Sequence, residues 1–269
     1  MGSMFLVSAR VEELKEIAPS VYKLKLWAPQ IALKACPGQF LHVRCAQNSS
    51  CDPLLRRPFS LHDRQGEHIF LLFQVKGRGT RWLSRLNPGE NLDVLGPLGR
   101  GFSLPQGEEL ALVAGGMGIA PFLFLARCLL ERGNRLDLFY GARSASQVFL
   151  GREWENLDLK IHLATEDGSQ GYKGLVTQLF RESLSARTYH RVYGCGPRGF
   201  LLALACILQE EGLPGEVSLE ENLACGLGVC QGCVVPIWEV QGGASYRPLC
   251  SSGPVFRVEE ILWEKFGEV

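Results

Sequence analysis

Leu110-Ala-Leu-Val-Ala-Gly-Gly-Met-Gly-Ile-Ala-Pro-Phe-Leu-Phe-Leu-Ala126 is a long uncharged run, unmatched in length except by 222–238, and its reading decides the fold. The run approaches membrane-spanning length, but Gly115-Gly116, Gly118 and Pro121 interrupt it. An apolar stretch, a glycine-rich turn and a second apolar stretch read as strand, turn and helix. Pro121 suits a first helical turn, where its missing N–H costs nothing. No membrane-spanning segment is expected.

On the C-terminal side, strand-like segments at 136–140, 159–164 and 191–193 alternate with helix-like segments at 121–131, 176–183 and 198–210. That alternation implies βαβ units and a Rossmann-like parallel sheet. On the N-terminal side, from residue 5 to about 104, short β-branched and aromatic runs such as 21–26, 39–43 and 69–75 are punctuated by Pro37-Gly38, Asn87-Pro88-Gly89 and Gly96-Pro97. Regular spacing of this kind predicts an antiparallel β-barrel. After Leu213-Pro214-Gly215 the tail is rich in Cys and Gly, with one terminal helix expected over 259–266. The expected class is therefore β plus α/β, divided into a barrel over 4–104, an α/β domain over 105–214 and a small segment over 215–269.

The composition of the 269 residues, 46% apolar and 21% charged, excludes disorder. Lys plus Arg and Asp plus Glu both count 28, so no basic field invites nucleic acid or an anionic membrane, and recognition must come from local sites. The start, Met1-Gly2-Ser3-Met4, lacks the basic and apolar stretches of a secretory signal; Gly2-Ser3 reads as an expression remnant before a natural start at Met4. A reducing, cytoplasmic setting is expected, in which the ten cysteines are metal ligands or free thiols rather than disulfides.

Four of those cysteines carry the strongest chemical signal. Cys225-Gly-Leu-Gly-Val-Cys230-Gln-Gly-Cys233, with a distant Cys250, has the C-x4-C-x2-C spacing of a plant-type 2Fe–2S site. Small residues between the ligands let the loop wrap a cluster and aim backbone N–H groups at its sulfurs. A structural zinc site would pair its ligands as C-x2-C twice, and only one such pair exists. Cys36, Cys45, Cys51, Cys128, Cys195 and Cys206 show no ligand spacing, and core filling is the default for most of them.

Gly115, Gly116, Gly118 and Pro121 stand between strand and helix, where a dinucleotide's phosphates can approach backbone N–H groups. A tight structural turn reads equally well from this motif alone. Cys195-Gly196-Pro197 forms a second strand end opening into a helix; two such turns in one sheet favour a ligand crevice, with Cys195 a possible catalytic thiol. In the barrel half, Arg56-Arg57-Pro58-Phe59-Ser60 and Lys76-Gly77-Arg78-Gly79-Thr80 combine a guanidinium fork with a Gly-Thr turn, a pairing suited to a pyrophosphate. Each alone also reads as a solvated arginine or a hairpin turn. No G-x-S-x-G, H-E-x-x-H or P-loop is present, and the five histidines are scattered, so hydrolytic chemistry has little support.

Taken together, Arg57-Pro58-Phe59-Ser60, Gly79-Thr80, the 115–121 loop and Cys195-Gly196-Pro197 resemble the ferredoxin-NADP reductase superfamily, in which a barrel binds FAD and an α/β domain binds the nicotinamide nucleotide. The tail narrows this. Val217-Ser-Leu-Glu-Glu-Asn-Leu-Ala-Cys225, the cluster loop and Cys250-Ser-Ser-Gly-Pro-Val-Phe256 resemble the electron-transfer subunits of NAD-dependent dihydroorotate dehydrogenase, as does Thr165-Glu-Asp-Gly-Ser169. The resemblance implies that Arg57 and Ser60 contact FAD, that Leu72, Phe73 and Gln74 line the flavin, and that Gly79 and Thr80 hold the pyrophosphate. It carries over Cys225, Cys230, Cys233 and Cys250 as iron ligands. Phe59 and Met117 depart from the usual residues at their positions.

The resemblance further implies an FMN-containing catalytic subunit as partner, in a heterotetramer of pyrimidine biosynthesis, with electrons running from dihydroorotate through FMN, cluster and FAD to NAD. Two other readings remain open at this point. One keeps the cofactors and makes the chain a diaphorase subunit of a hydrogenase, sulfite reductase or NADH-dependent ferredoxin:NADP oxidoreductase, although Cys225 stands where some such relatives have Asp. The other is a zinc-stabilised interaction module. Arg143-Ser144, after the second α/β strand, leaves NAD against NADP undecided.

Overall fold

The computed structural model describes residues 3–47, 50, 52–239 and 242–266. Cys51 and residues 1 and 2 lie outside them. Strands β1 (Phe5–Ala18), β2 (Val21–Trp27), β3 (Phe40–Val43), β4 (Arg57–Gln65), β5 (His68–Gln74) and β6 (Asn91–Leu98) close into a barrel in the order β1-β2-β5-β4-β3-β6, every pairing antiparallel. Period-two patterning fills it: Leu24 and Leu26, Leu41 and Val43, Ile69 and Leu71 and Leu92 and Val94 point inward, and α1 (Pro29–Lys34) packs Ile31 and Ala32 against them. The short α2 (Arg78–Leu83) follows β5 and anchors itself with Leu83.

The second layer is a seven-stranded sheet. Its strands β7 (Glu109–Gly115), β8 (Arg135–Ala142), β9 (Leu159–Thr165), β10 (Tyr172–Lys173), β11 (Arg191–Cys195) and β12 (Gly215–Ser218) run parallel in the order β10-β9-β8-β7-β11-β12. Central β7 pairs with β8 on one side and β11 on the other, so the strand order reverses there. The carboxyl ends of β7 and β11 thus form the crevice where open α/β sheets bind ligands.

The uncharged run is explained by α3 (Phe122–Leu130), which buries Phe122, Leu123, Phe124, Leu125, Ala126 and Leu129. Leu123 and Leu125 face the sheet, while Phe124 belongs to the barrel core. A helix apolar all round is one sandwiched between two layers. Among the described residues no helix is long and apolar enough to cross a membrane.

Polar groups pin the same joint. His62 Nδ1 on β4 donates to the Ala120 carbonyl at 2.7 Å, Asp63 faces Arg127 at 3.5 Å, and Lys23 of β2 meets Glu153 of α4 (Arg152–Glu155) at 3.1 Å. Helices α5 (Val176–Ser183) and α6 (Arg198–Glu210) cover the sheet at the expected bounds.

The tail leaves the sheet after β12, forms the cluster-type loop and the hairpin β13 (Val234–Trp238) and β14 (Ala244–Pro248), then α7 (Leu249–Ser252). It re-enters as β15 (Val255–Arg257), antiparallel to β12. The helix expected over 259–266 does not form. A 3-10 turn, Val258–Glu260, takes its place because the main chain is engaged elsewhere: Leu262 N–H donates to the Pro236 carbonyl at 3.0 Å, and Ile261 bridges to Ile237 of β13. Core filling also fails for Cys36 and Cys206, both exposed, while Cys45 is buried and Cys128 half-buried.

Candidate functional site

Between barrel and sheet lies a pocket of about 240 Å³. Pro58, Phe59 and Ser60 of β4, Leu72, Phe73 and Gln74 of β5 and Thr80 of α2 all line it. Aromatic packing sets the wall, with Phe59 edge-on to Phe73 at 5.8 Å and Tyr22 stacked behind. Apolar faces with a few polar groups at the rim suit a flavin ring.

Arg57 and Gly79 stand beside the pocket rather than on it. The Arg57 guanidinium donates to the Leu55 and Arg56 carbonyls at 2.8 and 3.2 Å, and Gly79 lies so close to Cys45 and Arg57 that a Cβ would stand 3.1 and 3.3 Å from them. Burial pushes the Cys45 thiol up to about 12, so it is packing, not a nucleophile. Thr80 Oγ1 accepts from the N–H groups of Lys76 and Gly77 at 2.9 and 3.1 Å, which fixes the turn leading into α2.

A second, larger groove of about 700 Å³ opens over the carboxyl ends of β7, β8 and β11. Gly115, Gly116, Gly118, Gly196 and Pro197 line it. Gly118 is required sterically, since a Cβ there would collide with the Cys195 carbonyl. Pro121 does not line the groove but caps α3, and Cys195 lies behind it, 2% exposed. Burial, with Glu220 nearby, pushes the Cys195 thiol up, which keeps it protonated and unreactive as a base.

Gln74, Lys76, Met117 and Glu220 line both cavities. A ligand ring from the groove and one from the pocket would meet over these four residues. Glu220 keeps solvent access at this mouth but is hemmed in by protein, and that partial desolvation pushes its carboxyl up against the pull of Lys76.

The cluster-type cysteines form the third part. Cys225 Sγ accepts the N–H groups of Leu227 and Cys230 at 3.3 and 3.5 Å, and Cys250 Sγ accepts that of Gly228 at 3.1 Å. These donors lower the Cys225 thiol to about 6, favouring the thiolate that binds iron. Burial, then Cys233, pushes Cys250 up to about 12, so it ionises only with a metal beside it.

The Gly228 N–H bond to Cys250 Sγ draws the distant fourth cysteine to the loop that carries the other three. Among the described residues no three His, Cys, Asp or Glu converge as a site for a single ion. Cysteines at this C-x4-C-x2-C spacing, with backbone N–H groups aimed at their sulfurs, fit a 2Fe–2S unit. The loop also demands its glycines: Gly226 and Gly228 adopt φ of +72° and +78°, and a Cβ on Gly228 would stand 2.8 Å from Ser251 Oγ.

The pocket wall includes residues that the motifs did not indicate. Phe40, Leu223, Leu249 and Pro254 join it from β3 and from either side of the cysteines. Only Glu220 had a readable signal, its place just past the carboxyl end of β12.

A fold of this kind, with a flavin-type pocket, a nucleotide groove and a cysteine loop in contact, defines an NAD-linked flavin and iron–sulfur oxidoreductase subunit of the ferredoxin-reductase type. Solved structures agree. A ferredoxin NADP+ reductase from Neisseria gonorrhoeae with bound FAD and NADP aligns at TM-score 0.65 and 16% identity over 77% of this chain and 92% of its own, which speaks to the fold alone. The NADH-dependent reduced ferredoxin-NADP oxidoreductase studied for flavin-based electron bifurcation aligns at TM-score 0.85 and 27% identity, over 97% of this chain and 91% of that one.

Residues 112–205 match the oxidoreductase NAD-binding domain, and 220–262 match the iron–sulfur cluster binding domain of dihydroorotate dehydrogenase B. The electron-transfer subunit of dihydroorotate dehydrogenase B (NAD+) from Desulforamulus reducens is 40% identical over 95% of this chain and 98% of its own length. The chain belongs to the family of these electron-transfer subunits. The cofactors expected from the sequence, FAD, an iron–sulfur cluster and NAD(H), stand with that assignment, and an electron-transfer subunit works with a catalytic partner.

Proposed function

We propose that this chain carries electrons between the FMN-containing catalytic subunit of a dihydroorotate dehydrogenase and NAD, through a 2Fe–2S cluster and FAD, in the cytoplasmic synthesis of pyrimidines. The observation that carries the reading is contiguity: the pocket shares Gln74, Lys76, Met117 and Glu220 with the groove, and its Leu249 precedes Cys250. FAD, when bound, exchanges a hydride with NAD and single electrons with a cluster.

The residues then divide the work. Segment 4–104 holds FAD, with Pro58, Phe59, Ser60, Leu72, Phe73 and Gln74 walling the ring and Arg57, Gly79 and Thr80 holding the pyrophosphate. Segment 105–214 holds the nucleotide, with Gly115, Gly116, Gly118, Gly196 and Pro197 as its floor and Pro121 and Cys195 supporting that floor from behind. Segment 215–269 holds the cluster through Cys225, Cys230, Cys233 and Cys250.

Leu227 and Val229 expose apolar side chains on the cluster loop, with Met4 and Leu6 exposed on the N-terminal strand segment, and Met4 and Leu227 share a groove of about 290 Å³. This face suits a catalytic subunit, two of each chain making the heterotetramer.

Mixing the cluster- and FAD-loaded chain with the catalytic subunit of such a dehydrogenase is expected to confer NAD-linked oxidation of dihydroorotate. A loaded chain that fails in this assay and instead reduces ferredoxin with NAD(P)H overturns the reading in favour of a diaphorase subunit, the alternative that the bifurcating oxidoreductase structure keeps in view.

A further inference from the structure

His42 is wholly buried, yet neither of its ring nitrogens has a hydrogen-bond partner. It sits on β3 with its neighbours Leu41 and Val43 turned into the barrel core, so it shares the outward face with Phe40. Phe40 walls the flavin pocket. Two residues along the same face, the His42 ring lies under the cluster loop: a Cβ on Gly226 would stand 2.6 Å from Nδ1 and 3.2 Å from Cε1. The ring therefore fills the space that restricts position 226 to glycine.

Nδ1 faces the main chain of the cluster loop at Gly226, and the main-chain carbonyls nearest the ring are those of Cys225 and of Arg56, beside β4, neither at full hydrogen-bond geometry. The charged neighbours are Arg56, tied to Asp93 at 2.8 Å, and Arg57. An imidazole carries at least one ring N–H in either protonation state, so a donor is always present here. A buried donor left unpaired is costly, and a phenyl ring would fill the same volume without that cost. An imidazole at this position therefore calls for an acceptor, and the cluster loop supplies one.

We infer that His42 is a positioning residue for the iron–sulfur cluster: from the strand whose Phe40 walls the flavin pocket, its ring N–H becomes the donor to the Cys225 carbonyl in the cluster-loaded chain and so holds the first ligand in place. The inference rests on the assignment of Cys225 as a ligand. Its consequence reaches the sulfur, because Cys225 Sγ accepts from Leu227 and Cys230 only while its own main chain stays fixed. Such N–H to sulfur bonds favour the more negative, reduced cluster and raise its potential.

The test uses the full chain loaded with cluster and FAD, comparing the parent with His42→Phe and His42→Gln. His42→Phe is expected to release iron to a chelator at least tenfold faster. It is also expected to lower the cluster midpoint potential in an EPR-monitored titration, a tenfold change in the one-electron equilibrium being about 59 mV. FAD content stays at the parental level, and His42→Gln, which retains a donor, recovers both properties. Parental release and potential in His42→Phe, equal impairment in both variants, or loss of FAD would each overturn the role. If the parent itself shows no iron–sulfur signal, the ligand assignment fails, and that outcome is distinct from a parent with the signal and an unaffected variant.

Discussion

Phe59 and Phe73 of the pocket between barrel and sheet belong to a packed barrel core, and Leu72 to the core beneath the sheet, whereas the loop from Cys225 to Cys233 has neither helix nor strand. Among the described residues, no N–H of 220–232 donates to a main-chain carbonyl; Leu227, Gly228 and Cys230 donate to sulfur instead. Close packing shapes a cavity before any ligand arrives. A loop held by bonds to ligand atoms gains its order from the metal. The two sites should therefore fail independently, the loop first.

The sharpest way to break this comparison is Cys230→Ser. It is expected to abolish the visible absorption and EPR signal of the cluster while FAD remains bound at parental stoichiometry. Loss of both would mean that the pocket, too, is shaped by the metal.

Gly118→Ala acts on the packed side. The added methyl collides with the Cys195 carbonyl, and relieving such overpacking costs about 1–3 kcal/mol. The KM for NADH is expected to rise on the order of 10-fold to 100-fold, by the same energy, in a diaphorase assay, with flavin and cluster spectra unchanged.

Glu153→Gln is the smallest effect and probes the joint between the layers. His62, whose Nε2 lies 4.0 Å away, comes first, with the Lys23 bond at 3.1 Å, in holding the Glu153 carboxyl at about 2, below its ordinary 4.5. Its contribution is thus present above pH 4.5 and lost as pH falls toward about 2. The variant should lose about 1–2 kcal/mol at pH 7 by urea unfolding, and its deficit should shrink at pH 3.

The barrel strands, the parallel sheet and α3 were legible because their apolar periods match their burial: 176–183 and 198–210 read as helices at the bounds that form. The cluster-binding segment was legible because a 2Fe–2S cluster demands a set ligand spacing, and residues 220–262 match an iron–sulfur cluster binding domain. Residues 259–266 misled because Ile261 and Leu262 look helical in isolation but are claimed by β13, a tertiary partner that no local pattern reveals. Phe40, Leu223, Leu249 and Pro254 converge on one pocket from segments far apart in sequence. His42 was hidden for a simpler reason. A polar residue alternating with Leu41 and Val43 reads as facing water, and only the loop folded over it makes it buried.

The pairing of β12 with β15 has one more consequence. Ser218 sits opposite Val255, so the chain departs from the sheet and returns to it at one place, and everything between is an excursion with its ends clasped. Insertions tethered this way can lengthen, shrink or change their chemistry while the order of strands beneath stays intact. In this molecule the iron-carrying portion is a cassette, mounted on a reductase frame whose own connectivity does not depend on it.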